Sequence, residues 1–470
     1  MAQKRVKHNG NALLDKAYRY ESNGWVFVHV EGQPFERGYQ HGYLLAREIQ
    51  DALRVSKFLA HWDTGEDFEV FVKAALQLFP ARVDQEYLDE MQGIAQGARM
   101  AGIDISFDEI LTWNGYQELL GNWWPNNMGS IPSTKRWKGK KGHHCSAFIA
   151  TGKHTKDGRI VMAHNTWDRY ASGDHYNIIL DILPASGNRI LMQAVPGYIS
   201  STTDFWETSA GLMITETTIA GISSFDATKA PEFYRSRKAS QYAKSIEEWV
   251  QIFSTENNGG YANSWLLGDI KTGEIARFEM GLKFSGLEKT KDGYYGGFNT
   301  PANLKIRNQE CDGEGEEYSD IRKNGSRRLR WMQLMNERQG NVDVENAKAM
   351  IADHYDVYLK QKNNPCSRTI CGHLELDKAE YGSHDDQGPY YPWGANDGKV
   401  TDGEMTKAMS LWARWGHSCG LPFDAKAFLT ENPQYDWLDS YMKDRPSYPW
   451  TQFSSMKALP GKSQSKTRRQ

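Results

Sequence analysis

The sequence runs to 470 residues, 39% hydrophobic and 24% charged, which suits one large globular domain or two ordinary ones. Lys and Arg total 56 against 59 Asp and Glu, a formal charge of -3, so no global field favours nucleic acid or an acidic membrane surface. No apolar run is long enough to span a bilayer, and the opening MAQKRVKHNG leads into no apolar segment, so a soluble chain without a visible export signal is expected. Five cysteines, Cys145, Cys311, Cys366, Cys371 and Cys419, are too few and too scattered for a disulfide scaffold and form no C-x-x-C zinc pattern. Whether Cys366 and Cys371 pair is a question of geometry that spacing leaves open.

Along the chain, Trp25 to Val30 alternates as a strand, and Phe35, Tyr39, Gly42, Ala46 and Ile49 fall at the spacing of one long helix. Helical patterns follow at 67–79, 83–101 and 107–119, with Asp104 as the expected cap of the last. From Gly121 to His144 the pattern breaks, with Pro125, Asn126, Asn127, Gly129, Pro132 and Ser133 followed by Lys135, Arg136, Lys138, Lys140 and Lys141, which reads as an exposed basic loop. Beyond Cys145 the period becomes two. Strands are expected at 146–151, 159–163, 176–183 and 187–194, the first pair joined by a turn at Asp157-Gly158. Further strands are expected at 211–216, 263–269 and 274–281, with helical stretches near 229–256, 319–337 and 343–353. The chain thus divides into a mainly helical segment 1–144 ending in the basic loop, an α/β core 145–455 with helices flanking sheets, and a polar tail 456–470 without fixed structure.

The junction Gly142-His143-His144-Cys145 places a cysteine where an exposed loop meets a rigid strand. If the Cys145 thiol attacks the His144 carbonyl and water hydrolyses the resulting thioester, the cysteine becomes a new chain terminus. Its α-amino group, with an unperturbed pKa of about 7.7–8.0, then serves as the base for its own thiol. Taken on position alone, the ordinary alternative is a cysteine packed inertly in the first strand.

Several runs weigh against that alternative: Cys145-Ser146-Ala147, Asp157-Gly158 and Ala163-His164-Asn165-Thr166-Trp167-Asp168, then Asp204-Phe205-Trp206, Gly211-Leu212, Thr215-Glu216-Thr217-Thr218-Ile219, Tyr261-Ala262-Asn263-Ser264-Trp265 and Gly394-Ala395-Asn396-Asp397-Gly398-Lys399-Val400. Together with Gly32 to Gly42 they resemble the phospholipase B-like proteins and the autoproteolytic acyltransferases of the isopenicillin N acyltransferase type. That resemblance, covering about residues 25–455, implies a four-layer αββα N-terminal-nucleophile hydrolase fold cleaved between His144 and Cys145. Carried over residue by residue, it makes Asp168 the acid that positions the cysteine amine. It makes Asn263 an oxyanion-hole donor, a role in which one amide lowers a barrier by roughly 3 kcal/mol. Arg327 resembles an active-site arginine of bile-salt-hydrolase-type relatives, with the adjacent Arg328 an open alternative. His164, Asn165, Trp167 and Glu216 are possible lining residues. Glu207 and Thr208 stand where those more distant relatives carry a second oxyanion asparagine.

The function implied is hydrolysis of fatty-acyl ester or amide bonds through an acyl-thioester on Cys145. The alternatives are acyl transfer to a small amine, a catalytically idle lipid-binding protein, and a papain-like hydrolase pairing Cys145 with a distant histidine such as His373. The expected partners are a small-molecule or lipid acyl substrate and the chain's own N-terminal segment, with no nucleic acid. The resemblance suggests a secreted, periplasmic or lysosome-like setting. No phosphate loop, HExxH motif or clustered metal ligands are visible, so neither cofactor nor metal is expected. Oligomeric state is not legible.

Overall fold

The computed structural model describes residues 11–127, 145–378, 380 and 390–455. The described residues form sixteen strands: β1 (Tyr18–Ser22), β2 (Trp25–Gly32), β3 (Cys145–Gly152), β4 (Gly158–Arg169), β5 (Ile178–Pro184), β6 (Ile190–Ala194), β7 (Phe205–Thr208), β8 (Leu212–Thr218), β9 (Asn263–Asp269), β10 (Glu274–Met280), β11 (Ser285–Thr290), β12 (Gly293–Gly297), β13 (Trp393–Ala395), β14 (Asp397–Asp402), β15 (Ser410–Trp415) and β16 (Thr451–Ser454). A nine-stranded sheet has the order β1-β2-β5-β6-β7-β8-β9-β10-β11, and a second runs β12-β3-β4-β14-β15-β16, with β13 paired to the end of β4. Pairing is antiparallel except where β2 lies parallel to β5. Residues ahead of Cys145 therefore supply two strands of the larger sheet.

The two sheets pack face to face, and the period of two in β3 and β4 shows how. Ala147, Ile149, Ile160 and Met162 join the core shared with the nine-stranded sheet. Phe148, Ala150, Val161 and Ala163 turn the other way, onto Trp331, Leu334 and Met335 of the helix Gly325–Glu337 and onto Met350 and Ile351 of Val344–Ile351. Strand interiors without charged faces are what double-sided burial demands. Helices α1 (Pro34–Leu44), Glu232–Tyr242 and Ile246–Ser254 cover the outer face of the larger sheet, completing an α-β-β-α layering of an α+β fold.

Glycines allow α1 to approach the helix Gln85–Met100 more closely than side chains permit. A Cβ on Gly38 would lie 1.9 Å from the Glu90 carbonyl oxygen, and one on Gly97 would lie 2.1 Å from that of Tyr39. The single long helix expected from Phe35 onward is two, α1 and α2 (Ala46–Thr64), because Leu45 leaves helical geometry while its N–H still bonds to His41. The cap before Phe107 is Ser106, not Asp104. The Ser106 hydroxyl accepts from Glu109 N, and the Glu109 carboxylate accepts in return from Ser106 N.

The expected loop from Gly121 starts later, since helical turns continue through Asn127. The asparagines that resemble turn formers instead satisfy carbonyls: Asn126 donates to Asn122 and Ser223, and Asn127 to Trp123. The basic run Lys135–Lys141 and His144 lie outside the described residues. The β3–β4 connection is Lys153–Asp157, and Gly158, at φ 78°, is already paired with Gly152. Cys366 and Cys371 are not bonded to each other, and all five cysteines are free thiols.

Candidate active site

Cys145 is the first residue of β3, in the inner layer, paired with Thr166 and only 2% exposed. The alternation that divides the two cores also divides the polar residues. Cys145, His164, Thr166 and Asp168 belong to the face toward the larger sheet, whereas Ser146, Asn165 and Trp167 belong to the face toward the helices.

On the inner face the Cys145 thiol, the His164 imidazole and a carboxyl oxygen of Glu216 from β8 lie within 4.8 Å of one another. Burial pushes the thiol well above its ordinary pKa, and the neighbouring Glu216 adds to the rise. Burial likewise raises Glu216, reinforced by Asp204, and lowers His164, reinforced by Lys399. Burial thus disfavours the charged form of each group, thiolate, imidazolium and carboxylate alike. Lys399, wholly buried on β14, lies opposite His164; its ammonium donates to Thr166 Oγ1 at 2.6 Å and Gln193 Oε1 at 2.5 Å, and pairs with Asp397 at 2.8 Å.

The main chain of Cys145 is gripped at both ends. Its N–H donates to Asn299 Oδ1 at 2.9 Å, and its carbonyl accepts from Arg327 Nη1 at 2.5 Å. Arg327 is fully buried on the helix Gly325–Glu337. It also donates to Ser146 Oγ, Phe298 O, Asn299 Oδ1 and Asn324 Oδ1, and its guanidinium lies 4.5 Å from the centre of the Trp167 ring. Burial lowers its pKa to about 9. Arg328 turns away, donating to Tyr318 O and stacking on that ring, so the pair ambiguous in sequence is separated by helix phase.

Asn299 was not legible beforehand. It adopts φ 67°, a conformation asparagine tolerates better than most residues, and its amide donates to Thr218 O while its oxygen serves both Cys145 and Arg327. The Asn-Thr-Pro turn after β12 is the one signal that marked it. Lys399 had a clearer signal, a lysine inside an otherwise buried strand.

The Asp168 carboxylate accepts from the Tyr176 hydroxyl and from Arg169 N. Asp168 lines a cavity of about 380 Å³ together with Tyr116, Tyr176, Tyr198, Tyr261 and Trp393. Thr218, which pairs with Asn263 across β8 and β9, lies on the same wall. Asn263 is 1% exposed, and neither polar atom of its side chain has a hydrogen-bond partner among the described residues. Asn165 and Trp167 serve the other face: Asn165 Oδ1 accepts from Ser146 N and from Trp167 Nε1, and its amide reaches Ile351 O, Ile370 O and Ser418 Oγ. They brace the strand rather than line the cavity. Glu207, whose pKa burial pushes up, sits fully enclosed between Leu191 and Met213.

A family model described as Phospholipase B matches residues 78–281, a span that includes Cys145, Asp168 and Asn263. Over this span the chain is similar to the phospholipase B-like proteins. It is 26% identical over 343 residues to human Phospholipase B-like 1, covering 65% of this chain and 57% of that one. It is 25% identical over 479 residues to the bovine protein of the same name, covering 89% and 82%. It is also 29% identical over 251 residues to an uncharacterized protein of Archaeoglobus fulgidus, covering 50% and 40%. The matches to the archaeal and human relatives thus span about half of those proteins. No described helix is long and apolar enough to cross a membrane.

Beside the cavity, a buried acid makes the fold pH-dependent. Glu118 accepts from Glu232 N at 2.6 Å and from Asn258, yet burial raises its pKa from 4.5 to about 7. The folded state binds this proton more tightly than the unfolded one. Its contribution is present below pH 4.5 and is lost as pH rises through about 7. The shift corresponds to about 3 kcal/mol. Glu118→Gln, neutral at every pH, is expected to flatten the alkaline limb of a denaturation-midpoint profile measured from pH 4 to 9. A limb as steep as in the parent would assign the dependence to other groups.

Proposed function

We propose that this chain is a cysteine N-terminal-nucleophile hydrolase that cuts itself between His144 and Cys145 and then cleaves fatty-acyl ester or amide bonds. The observation that carries the reading is the grip on Cys145, a buried nucleophile at the first position of an inner strand, held through its N–H by Asn299 and through its carbonyl by Arg327. Kinship with phospholipase B-like proteins supports a hydrolase acting on lipids, and the aromatic-walled cavity beside the strand end suits an apolar acyl group.

In the maturation step, the Cys145 sulfur adds to the His144 carbonyl carbon. The C–N bond breaks as the amine takes up a proton, and water hydrolyses the thioester to leave a carboxylate on His144 and a free amine on Cys145. In turnover that amine takes the thiol proton, and the thiolate adds to the acyl carbonyl. The oxyanion is received by the Asn263 amide, and the leaving alcohol or amine departs with the proton. Water then hydrolyses the acyl-thioester. Asn299 and Asp168 orient the amine, while Arg327, fixed by Asn324 and Trp167, keeps the Cys145 carbonyl from rotating.

Under denaturing conditions the mature protein is expected to separate into pieces of 144 and 326 residues, the latter from 470 minus 144, with the larger beginning Cys-Ser-Ala-Phe on N-terminal sequencing. A screen of acyl esters and amides on the processed protein then defines the bond class. An intact single chain that turns over substrate would overturn the mechanism.

A further inference from the structure

Outside the Cys145 site, four side chains from three separate segments converge behind the second sheet. His354 follows the helix Val344–Ile351, Cys371 and His373 lie in the segment that bridges to Gly394, and Cys419 lies in the turn after β15. We propose that these four residues form a tetrahedral Cys2His2 zinc site.

The donor atoms all lie within 4.8 Å of one another. His373 Nε2 is 3.4 Å from Cys371 Sγ and 3.5 Å from Cys419 Sγ. Zinc bound tetrahedrally at about 2.3 Å from sulfur and 2.0–2.1 Å from nitrogen separates a sulfur from a nitrogen by about 3.6 Å. One imidazole nitrogen carries a single lone pair or a single proton, so it cannot form full hydrogen bonds with two thiols at once. A shared cation accounts for both distances.

The surroundings match a metal centre as well. His373 Nδ1 is 2.8 Å from Glu375 Oε1, the carboxylate-histidine pairing that fixes a ligating ring and its tautomer. His354 Nδ1 faces Asn363 Oδ1 at 3.4 Å, while its Nε2 is buried and has no hydrogen-bond partner among the described residues. The neighbouring His417 is excluded as a ligand. Its Nδ1 is spent on Leu421 O at 2.8 Å and its Nε2 on the Tyr170 hydroxyl at 3.0 Å.

Two thiolates and two imidazoles select zinc over harder cations, and four protein donors leave no open position, so the centre is structural rather than catalytic. It ties together the segments that brace the strand carrying Cys145. Asn165 bonds to Ile370 O and to Ser418 Oγ, each one residue from a zinc ligand, and a Cβ on Gly372 would lie 2.2 Å from the Trp167 ring on which Arg327 rests. The sequence shows no clustered ligands because no two of the three segments are adjacent along the chain.

The test is metal analysis of the full chain, purified under reducing conditions from zinc-supplemented culture. About one zinc per chain is expected, dropping at least tenfold in Cys371→Ala and Cys419→Ala and unchanged in Cys311→Ala. Cobalt replacing zinc should show thiolate-to-metal charge transfer and tetrahedral d–d bands. On the unaltered protein, so that no variant need fold, mass-spectrometric mapping should find Cys371 and Cys419 alkylated only after a chelator is added. Zinc content no higher than in the two ligand variants, equal alkylation with and without chelator, or a Cys371–Cys419 disulfide in the native protein would each overturn the proposal.

Discussion

Replacing Cys145 by alanine is expected to leave the chain as a single piece of 470 residues and to abolish turnover, because one sulfur both opens the His144–Cys145 bond and attacks substrate. The fold should survive. The side chain lost is small, and the two bonds that hold residue 145, from its N–H to Asn299 and from Arg327 to its carbonyl, are made by the main chain. Cys145→Ser separates the two roles: a hydroxyl can still add to the carbonyl but is far less ionised than a thiol, so slow cutting is expected with little turnover. Intact-mass time courses on both variants give the comparison. Normal cutting in the alanine variant would mean an outside protease does the work.

The second large effect concerns Asn263. A buried amide with neither atom paired carries a desolvation cost of roughly 1–3 kcal/mol, which an enzyme retains where the amide meets its partner only in the transition state. Asn263→Ala is therefore expected to lower kcat by roughly a hundredfold to a thousandfold with little change in KM. Stability should hold or rise slightly, because deleting an unpaired polar group relieves its cost. Kinetics and a denaturation curve on pre-processed protein decide between roles. Near-normal turnover with a loss of stability would make Asn263 a packing residue at the end of β9.

Local periodicity carried much of the fold. The strands expected at 146–151, 263–269 and 274–281 lie within β3, β9 and β10 to within a residue or two, because an apolar repeat of two needs only its own neighbours to be recognised. The last third was harder to read. β13 to β16 are short and rich in glycine, tryptophan and charge, and their burial comes from partners far away in the chain. Turn and cap chemistry misled where side chains had a tertiary use, as with Asn126, whose amide answers the distant Ser223 carbonyl.

The sequence by itself determined that Cys145 stands at the change from helical to alternating pattern, since that follows from spacing along one segment, whereas the strand expected at 159–163 runs on to Arg169 and so carries His164 and Asp168 on one face. Only the tertiary structure decided that Arg327 rather than Arg328 reaches the Cys145 carbonyl, that Asn299 takes its N–H, that Glu216 and Lys399 flank His164, and that His354, Cys371, His373 and Cys419 meet. The physical reason is the same in each case. A side chain's direction along a strand or helix is set within a few residues, but its partners are set by the register of strands and the phase of helices brought together from across the chain, and burial in their shared interior then sets its charge.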